Sequence, residues 1–119
     1  KKAGLELFGE PILESEAILI QRKGTAAPDG LDLLVRRLNG VITARDYLMV
    51  DYNVPTEKLA AATRVTPGLD APTVSPLAKD GWVAVRAMIP ARTAQQIMDE
   101  LWDVGAEAIL VTSIHACRI

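Results

Sequence analysis

An α+β fold follows from three features of the 119-residue sequence. Residues 47–54 and 82–89 alternate apolar and polar side chains, the pattern of strands with one buried face. Ile97, Met98, Leu101 and Trp102 recur at helical spacing between Thr93 and Gly105. Turn-forming clusters, Thr66-Pro67-Gly68 and Lys79-Asp80-Gly81, punctuate the patterns. From Tyr47 the predicted order is βαββαβ, the split βαβ or ferredoxin-like arrangement, in which two helices cover one face of an antiparallel sheet and leave the other open.

Each element has its own signal. Residues 1–8 read as the end of a helix closed by Gly9, because glycine accepts the left-handed conformation of a helix C-terminus; residues 1–46 as a whole read as an appendage that precedes the domain. Residues 16–21 form an apolar run of strand length before the loop at 23–30. From Leu31 the apolar positions Leu31, Leu34, Val35, Leu38, Val41 and Ile42 mark one face of a helix about 16 residues long. In the first strand Leu48, Val50, Tyr52 and Val54 share one side, and Met49, Asp51 and Asn53 the other. Pro55 suits the first turn of a helix that stops before Thr66. Residues 72–77 and 82–89 read as a hairpin. Thr93 with Gln96 has the spacing of a capping box, and the stripe that follows is expected in the core. Residues 106–113 are the next strand, with 114–119 as an optional last one.

Composition narrows the function. Half the residues are hydrophobic and 24% are charged, as in a globular protein with a packed core. Seven Lys/Arg balance seven Asp/Glu in residues 1–46, and six face eight in residues 47–119, so neither part has the basic field of a nucleic-acid binder. No apolar run is long enough to span a bilayer and the sequence opens without a signal-peptide core, so a cytoplasmic location is expected. One cysteine, Cys117, permits no intrachain disulfide and reads as a core-facing spectator; one histidine, His115, reads as a strand-end residue and cannot build a metal site alone. No dinucleotide, Walker, zinc-protease or nucleophile-elbow motif is present. Asp99, Glu100 and Asp103 read as a solvated helix face.

The open sheet face carries the chemistry. With Val50, Val74, Val85 and Ile109 toward the helices, alternation sends Asp51, Asn53, Thr73, Ser75, Arg86, Met88 and Ala108 the other way. This mixed surface is either solvated, a subunit contact or a ligand site. A zwitterionic amino acid needs acceptors, donors and an apolar wall, and this face with the loop 66–73 supplies all three.

Two quoted stretches, Tyr47-Leu48-Met49-Val50-Asp51-Tyr52 and Thr66-Pro67-Gly68-Leu69-Asp70-Ala71-Pro72-Thr73, resemble the C-terminal region of long-form ATP phosphoribosyltransferase. The resemblance continues through Trp82-Val83-Ala84-Val85-Arg86, Ile97-Met98-Asp99-Glu100-Leu101, Gly105-Ala106-Glu107-Ala108-Ile109-Leu110 and the Cys117-Arg118-Ile119 tail, and its flavour is actinobacterial. Phe8-Gly9-Glu10-Pro11 and Ser15-Glu16-Ala17-Ile18-Leu19-Ile20 look like the end of the catalytic domains, so the resemblance covers essentially the whole chain.

The resemblance implies a parent enzyme that joins ATP to phosphoribosyl pyrophosphate with magnesium, the first step of histidine biosynthesis, and that assembles as dimers and hexamers. It implies that residues 1–46 are a remnant of the catalytic α/β domains plus a connector helix, and that residues 47–119 are an ACT-like regulatory domain giving feedback inhibition by L-histidine. The family's phosphate-binding loop lies upstream of the segment resembling residues 1–8, so the chain alone is expected to be inactive, with no metal or cofactor of its own. Histidine-contacting positions carry over to Asn53, Leu69, Ala71, Thr73, Met88 and Ala108. Asn53 and Thr73 would hydrogen-bond the ligand, Leu69 and Met88 would wall its side chain, and Ala71 and Ala108 would leave room. Some relatives carry Asp in place of Asn53, and an Asn attracts a cationic group less strongly. The alternative is an oligomerisation module that senses nothing, since an open sheet face gains by pairing; a free-standing enzyme has no motif to support it.

Overall fold

A computed structural model describes residues 9–10, 12–13 and 15–118. The helix expected over residues 1–8, and the ends of the quoted motifs at Pro11 and Ile119, lie outside the described residues.

Helix α1, Leu31–Asp46, has the expected 16 residues and hands over directly to strand β1, Tyr47–Pro55. A 3₁₀ turn, Thr56–Lys58, leads into α2, Leu59–Val65. Strands β2, Thr73–Pro76, and β3, Trp82–Pro90, form the hairpin. A second 3₁₀ turn, Ala91–Thr93, opens α3, Ala94–Val104, and β4, Glu107–Ser113, ends the domain. The antiparallel sheet runs β2-β3-β1-β4, which is the ferredoxin-like order.

The two halves repeat one device. β1 ends on Pro55 and β3 on Pro90, and each proline is followed by a 3₁₀ turn and a helix. Proline fixes φ near −65° and lacks the N–H that would extend a ladder, so each strand stops where its helix must turn back over the sheet. The helix at Pro55 therefore starts as 3₁₀ and becomes α only at Leu59.

Packing follows the period-2 rule. Val50, Tyr52 and Val54 of β1 and Val85, Ala87 and Ile89 of β3 are buried, with Ala62 of α2 and Leu101 of α3 over them. α3 ends in a Schellman arrangement: Gly105, at φ 99°, donates to the carbonyls of Trp102 and Leu101, and the Ala106 N–H donates to Leu101 at 2.9 Å. A side chain at Gly105 would meet the Lys58 ammonium as well as strain the backbone.

Six sequence expectations are corrected. Residues 16–21 form no strand: no strand of the sheet pairs with them, and Ile20 is 85% exposed. Residues 114–118 likewise form no strand. Thr93 makes no cap to α3; its hydroxyl faces the Pro90 carbonyl, and Gln96 donates instead to Glu100 one turn on, at 2.8 Å. Trp102 is 69% exposed, because Leu101 fills the stripe position facing the sheet. Val74 pairs with buried Val85, but it lies on the edge strand, all four residues of which are exposed. Cys117 sits not in the sheet core but against α1, its thiol donating to the Gly40 carbonyl at 3.2 Å. A Cβ at Gly40 would collide with the Cys117 carbonyl, so close passage of the tail requires glycine there.

One polar pair lies inside the core. The Tyr52 hydroxyl and Thr66 Oγ1 are 2.8 Å apart, both residues are fully buried, and Thr66 Oγ1 also donates to the Ala62 carbonyl at 3.3 Å. Thr66 thus accepts from Tyr52 and closes α2 at once. Tyr52→Phe should cost about 1 kcal/mol, and Thr66→Val, which strands a buried hydroxyl, about 1–3 kcal/mol in urea denaturation. Burial raises the Tyr52 pKa above 10.0, against a smaller lowering by the Thr66 bond. A raised folded-state pKa favours the protonated form in the folded chain, so stability should fall as pH climbs from about 10 through the folded value. Tyr52→Phe should remove that fall.

Candidate functional site

The sheet face away from α2 and α3 is uncovered, and its residues form rows across the strands. One row runs Thr73, Arg86, Asp51, Leu110 from β2 to β4. The next runs Ser75, Ala84, Asn53, Glu107. On the other side of Arg86 lie Met88, Met49 and Thr112.

The loop between α2 and β2 rises beside this face. Gly68 adopts φ 73°, and a Cβ there would press on the Ala71 carbonyl at 3.3 Å, so the turn needs glycine both for its backbone sign and for space. The turn brings Leu69, Asp70 and Ala71 to the edge of the sheet, where they border a hollow of about 260 Å³ with Thr73, Met88 and Met49. A second hollow of about 270 Å³ adjoins it, bordered by Asp51, Thr73, Ser75 and Ala84. Thr73 and Arg86 line both. Each is smaller than the roughly 300–1,000 Å³ of sites for drug-sized ligands.

Of the six residues named from the sequence, Leu69, Ala71, Thr73 and Met88 share the first hollow. Asn53 does not line it; half-buried, it stands in the row of Ala84 and Ser75, which border the second. Ala108 lines neither. The register of β1 with β4 passes from Asp51 opposite Leu110 to Asn53 opposite Glu107, so β4 carries one extra residue there. That residue is accommodated by Ala108 at φ 50°, left-handed among the non-glycine residues described. Strict alternation cannot cross such a bulge.

The lining residues not named as site residues include Met49, Asp70 and Arg86. Met49 was readable, since alternation puts it on the side of Asp51 and the hairpin register sets it opposite Met88. Asp70 was not, because loop direction has no period. Arg86 was placed on the open face, but only the fold sets it directly opposite Asp51, where its Nε donates to Oδ1 at 2.6 Å. That hydrogen bond first, and the carboxylate charge second, raise the Arg86 pKa beyond its usual value.

A larger hollow of about 430 Å³ lies elsewhere, between residues 17–19 and α1. It is walled by Val35, Leu38 and Ile42 with Asn39 as a polar contributor, so it offers no charged group to orient a ligand. Asp99, Glu100 and Asp103 are exposed on α3, and no helix of the described residues is long and apolar enough to cross a membrane.

Residues 44–116 match the family described as HisG, C-terminal domain. The chain is 55% identical to an ATP phosphoribosyltransferase of Streptomyces coelicolor, over 100% of this chain and 43% of the relative. It is 54% identical to one of Pseudarthrobacter chlorophenolicus over 100% and 43%, and 53% identical to one of Micrococcus luteus over 100% and 42%. The chain thus spans about two fifths of the length of the curated relatives it matches.

The bulge makes a measurable demand. A left-handed conformation costs an L-residue about 1–2 kcal/mol, and more if it is β-branched. Ala108→Val should destabilise the chain by about 1–3 kcal/mol in urea denaturation, whereas Ala108→Gly should leave stability unchanged or raise it slightly. Equal losses from both would rule out backbone strain as the reason.

Proposed function

The chain belongs to the family of HisG C-terminal domains, and from that membership we propose that it is the regulatory region of an ATP phosphoribosyltransferase, binding L-histidine on the open sheet face. The observation that carries this reading is the convergence of Leu69, Ala71, Thr73 and Met88, from a loop and two strands, on one hollow of about 260 Å³. Leu69 and Met88 supply the apolar wall, Ala71 leaves room, and the Thr73 hydroxyl offers a donor or an acceptor.

The parent protein would make phosphoribosyl-ATP and pyrophosphate from ATP and phosphoribosyl pyrophosphate, opening histidine biosynthesis. Magnesium would serve the phosphates on the remainder of that protein; among the residues described here no three His, Cys, Asp or Glu side chains converge. Two features support a missing remainder. The family match begins at residue 44, yet relatives of more than twice this length match the whole chain. Ahead of residue 44, Leu33, Leu34, Leu38, Val41 and Ile42 leave an apolar α1 face exposed. Residues 1–46 then belong with the catalytic domains, whose packing would cover that face.

Feedback follows from linkage. Histidine lowers activity only if it binds the less active state of the assembly more tightly than the active one, and the coupling is reciprocal. An interface of the dimeric or hexameric parent that changes shape around the open face would meet that condition. The second reading, an oligomerisation module without a ligand, is favoured by Leu110, which stands 62% exposed on the same face.

Calorimetric titration of the 119-residue chain with L-histidine, beside sizing with and without ligand, separates the two. Saturable heat is expected, and Leu69→Trp, which fills the hollow, should weaken binding at least tenfold with the fold intact by circular dichroism. Concentration-dependent oligomers and no heat would replace sensing with assembly.

A further inference from the structure

We propose that Arg86 is the carboxylate anchor of this ligand site and that Asp51 is the positioning residue that aims it; the inference rests on the amino-acid reading above. Arg86 lies on β3, one of the two central strands, and among the residues of the three rows it alone carries a positive charge. Lining both hollows together with Thr73, it forms the ridge between them.

Its hydrogen bonding leaves most of its donors unused. A guanidinium has five N–H donors in a fixed plane. The Nε–H goes to Asp51 Oδ1 at 2.6 Å, and among the described residues no acceptor engages the four N–H groups of Nη1 and Nη2. With Nε fixed, the plane has one free end, the two Nη groups, whose paired N–H vectors match the two oxygens of a carboxylate. An arginine tied at Nε is also partly immobilised before the ligand arrives, which lowers the ordering cost of binding.

Stability gives the pair no comparable role. The two side chains are 63% and 31% exposed, and a solvent-screened pair of this kind contributes little to folding. The charges do suit a zwitterion. A carboxylate seated on Arg86, beside the Thr73 hydroxyl, leaves the ammonium to the Asp51 or Asp70 carboxylates, and the side chain to the wall of Met49, Leu69 and Met88.

The test is calorimetric titration of the 119-residue chain with L-histidine and with L-histidinol, which keeps the imidazole and ammonium but carries a hydroxymethyl in place of the carboxylate. The unsubstituted chain should prefer histidine by about tenfold to a hundredfold, the range of a charge-assisted hydrogen-bond pair. Arg86→Gln should weaken histidine by a similar factor and level the two ligands. Arg86→Lys, which keeps the charge and loses the fork, should fall between, and Asp51→Asn should shrink the preference with an unchanged melting temperature. A histidine preference that survives in Arg86→Gln, or equal weakening of both ligands in Arg86→Gln and Arg86→Lys, overturns the anchor while leaving histidine binding standing. Absence of binding by the unsubstituted chain overturns the amino-acid reading itself, and the anchor with it.

Discussion

β1 and β3 pair along their full length, from Tyr47 opposite Pro90 to Pro55 opposite Trp82. This ladder sets every other position in the domain. Its inward residues make the floor on which α2 and α3 pack, and its outward residues, one position out of phase, fix which side chains can meet on the open face. A slip of one residue would bury Asp51 and Arg86 and expose Val50 and Val85. The terminal prolines hold the register at both ends, because neither can donate the further bond that would let the ladder run on.

Much of this was legible in the sequence because alternation and helical spacing are global properties of a segment. The nine-residue strands and the long α1 have enough repeats for the period to stand clear of individual side chains. The failures were all local or dependent on a partner. Residues 16–21 have strand composition, but a strand exists only beside another. Gln96 has the spacing for a cap, but its side chain turns forward along the helix, where its Nε2 donates to Glu100. Trp102 is apolar beside a stripe whose buried place belongs to Leu101.

The open sheet face shows the same division. Thr73, Met88 and Asn53 follow from counting by twos, while Leu69, Asp70 and Ala71 depend on the path of a loop turned by Gly68. Ala108 marks where counting breaks: one extra residue in β4 puts Glu107 and Leu110 both in outward positions and gives the alanine a backbone sign that its side chain resists. Family resemblance could supply these residues without the geometry, and the geometry adds what resemblance did not, the opposed charges of Asp51 and Arg86 at the centre.

The contact between Cys117 and Gly40 spans 77 positions of sequence. Closing a free loop of that size would cost about 4 kcal/mol of chain entropy, more than one weak thiol bond can repay. The cost is lower once β4 has paired with β1, because Leu48 then lies opposite Ser113, and only the short stretches from Leu48 back to Gly40 and from Ser113 on to Cys117 remain to be closed. At about a dozen residues that closure costs roughly 2 kcal/mol. The tail's clasp on α1 is therefore contingent on a completed sheet, and the pairing of β4 with β1 carries a large part of the entropy of closing it.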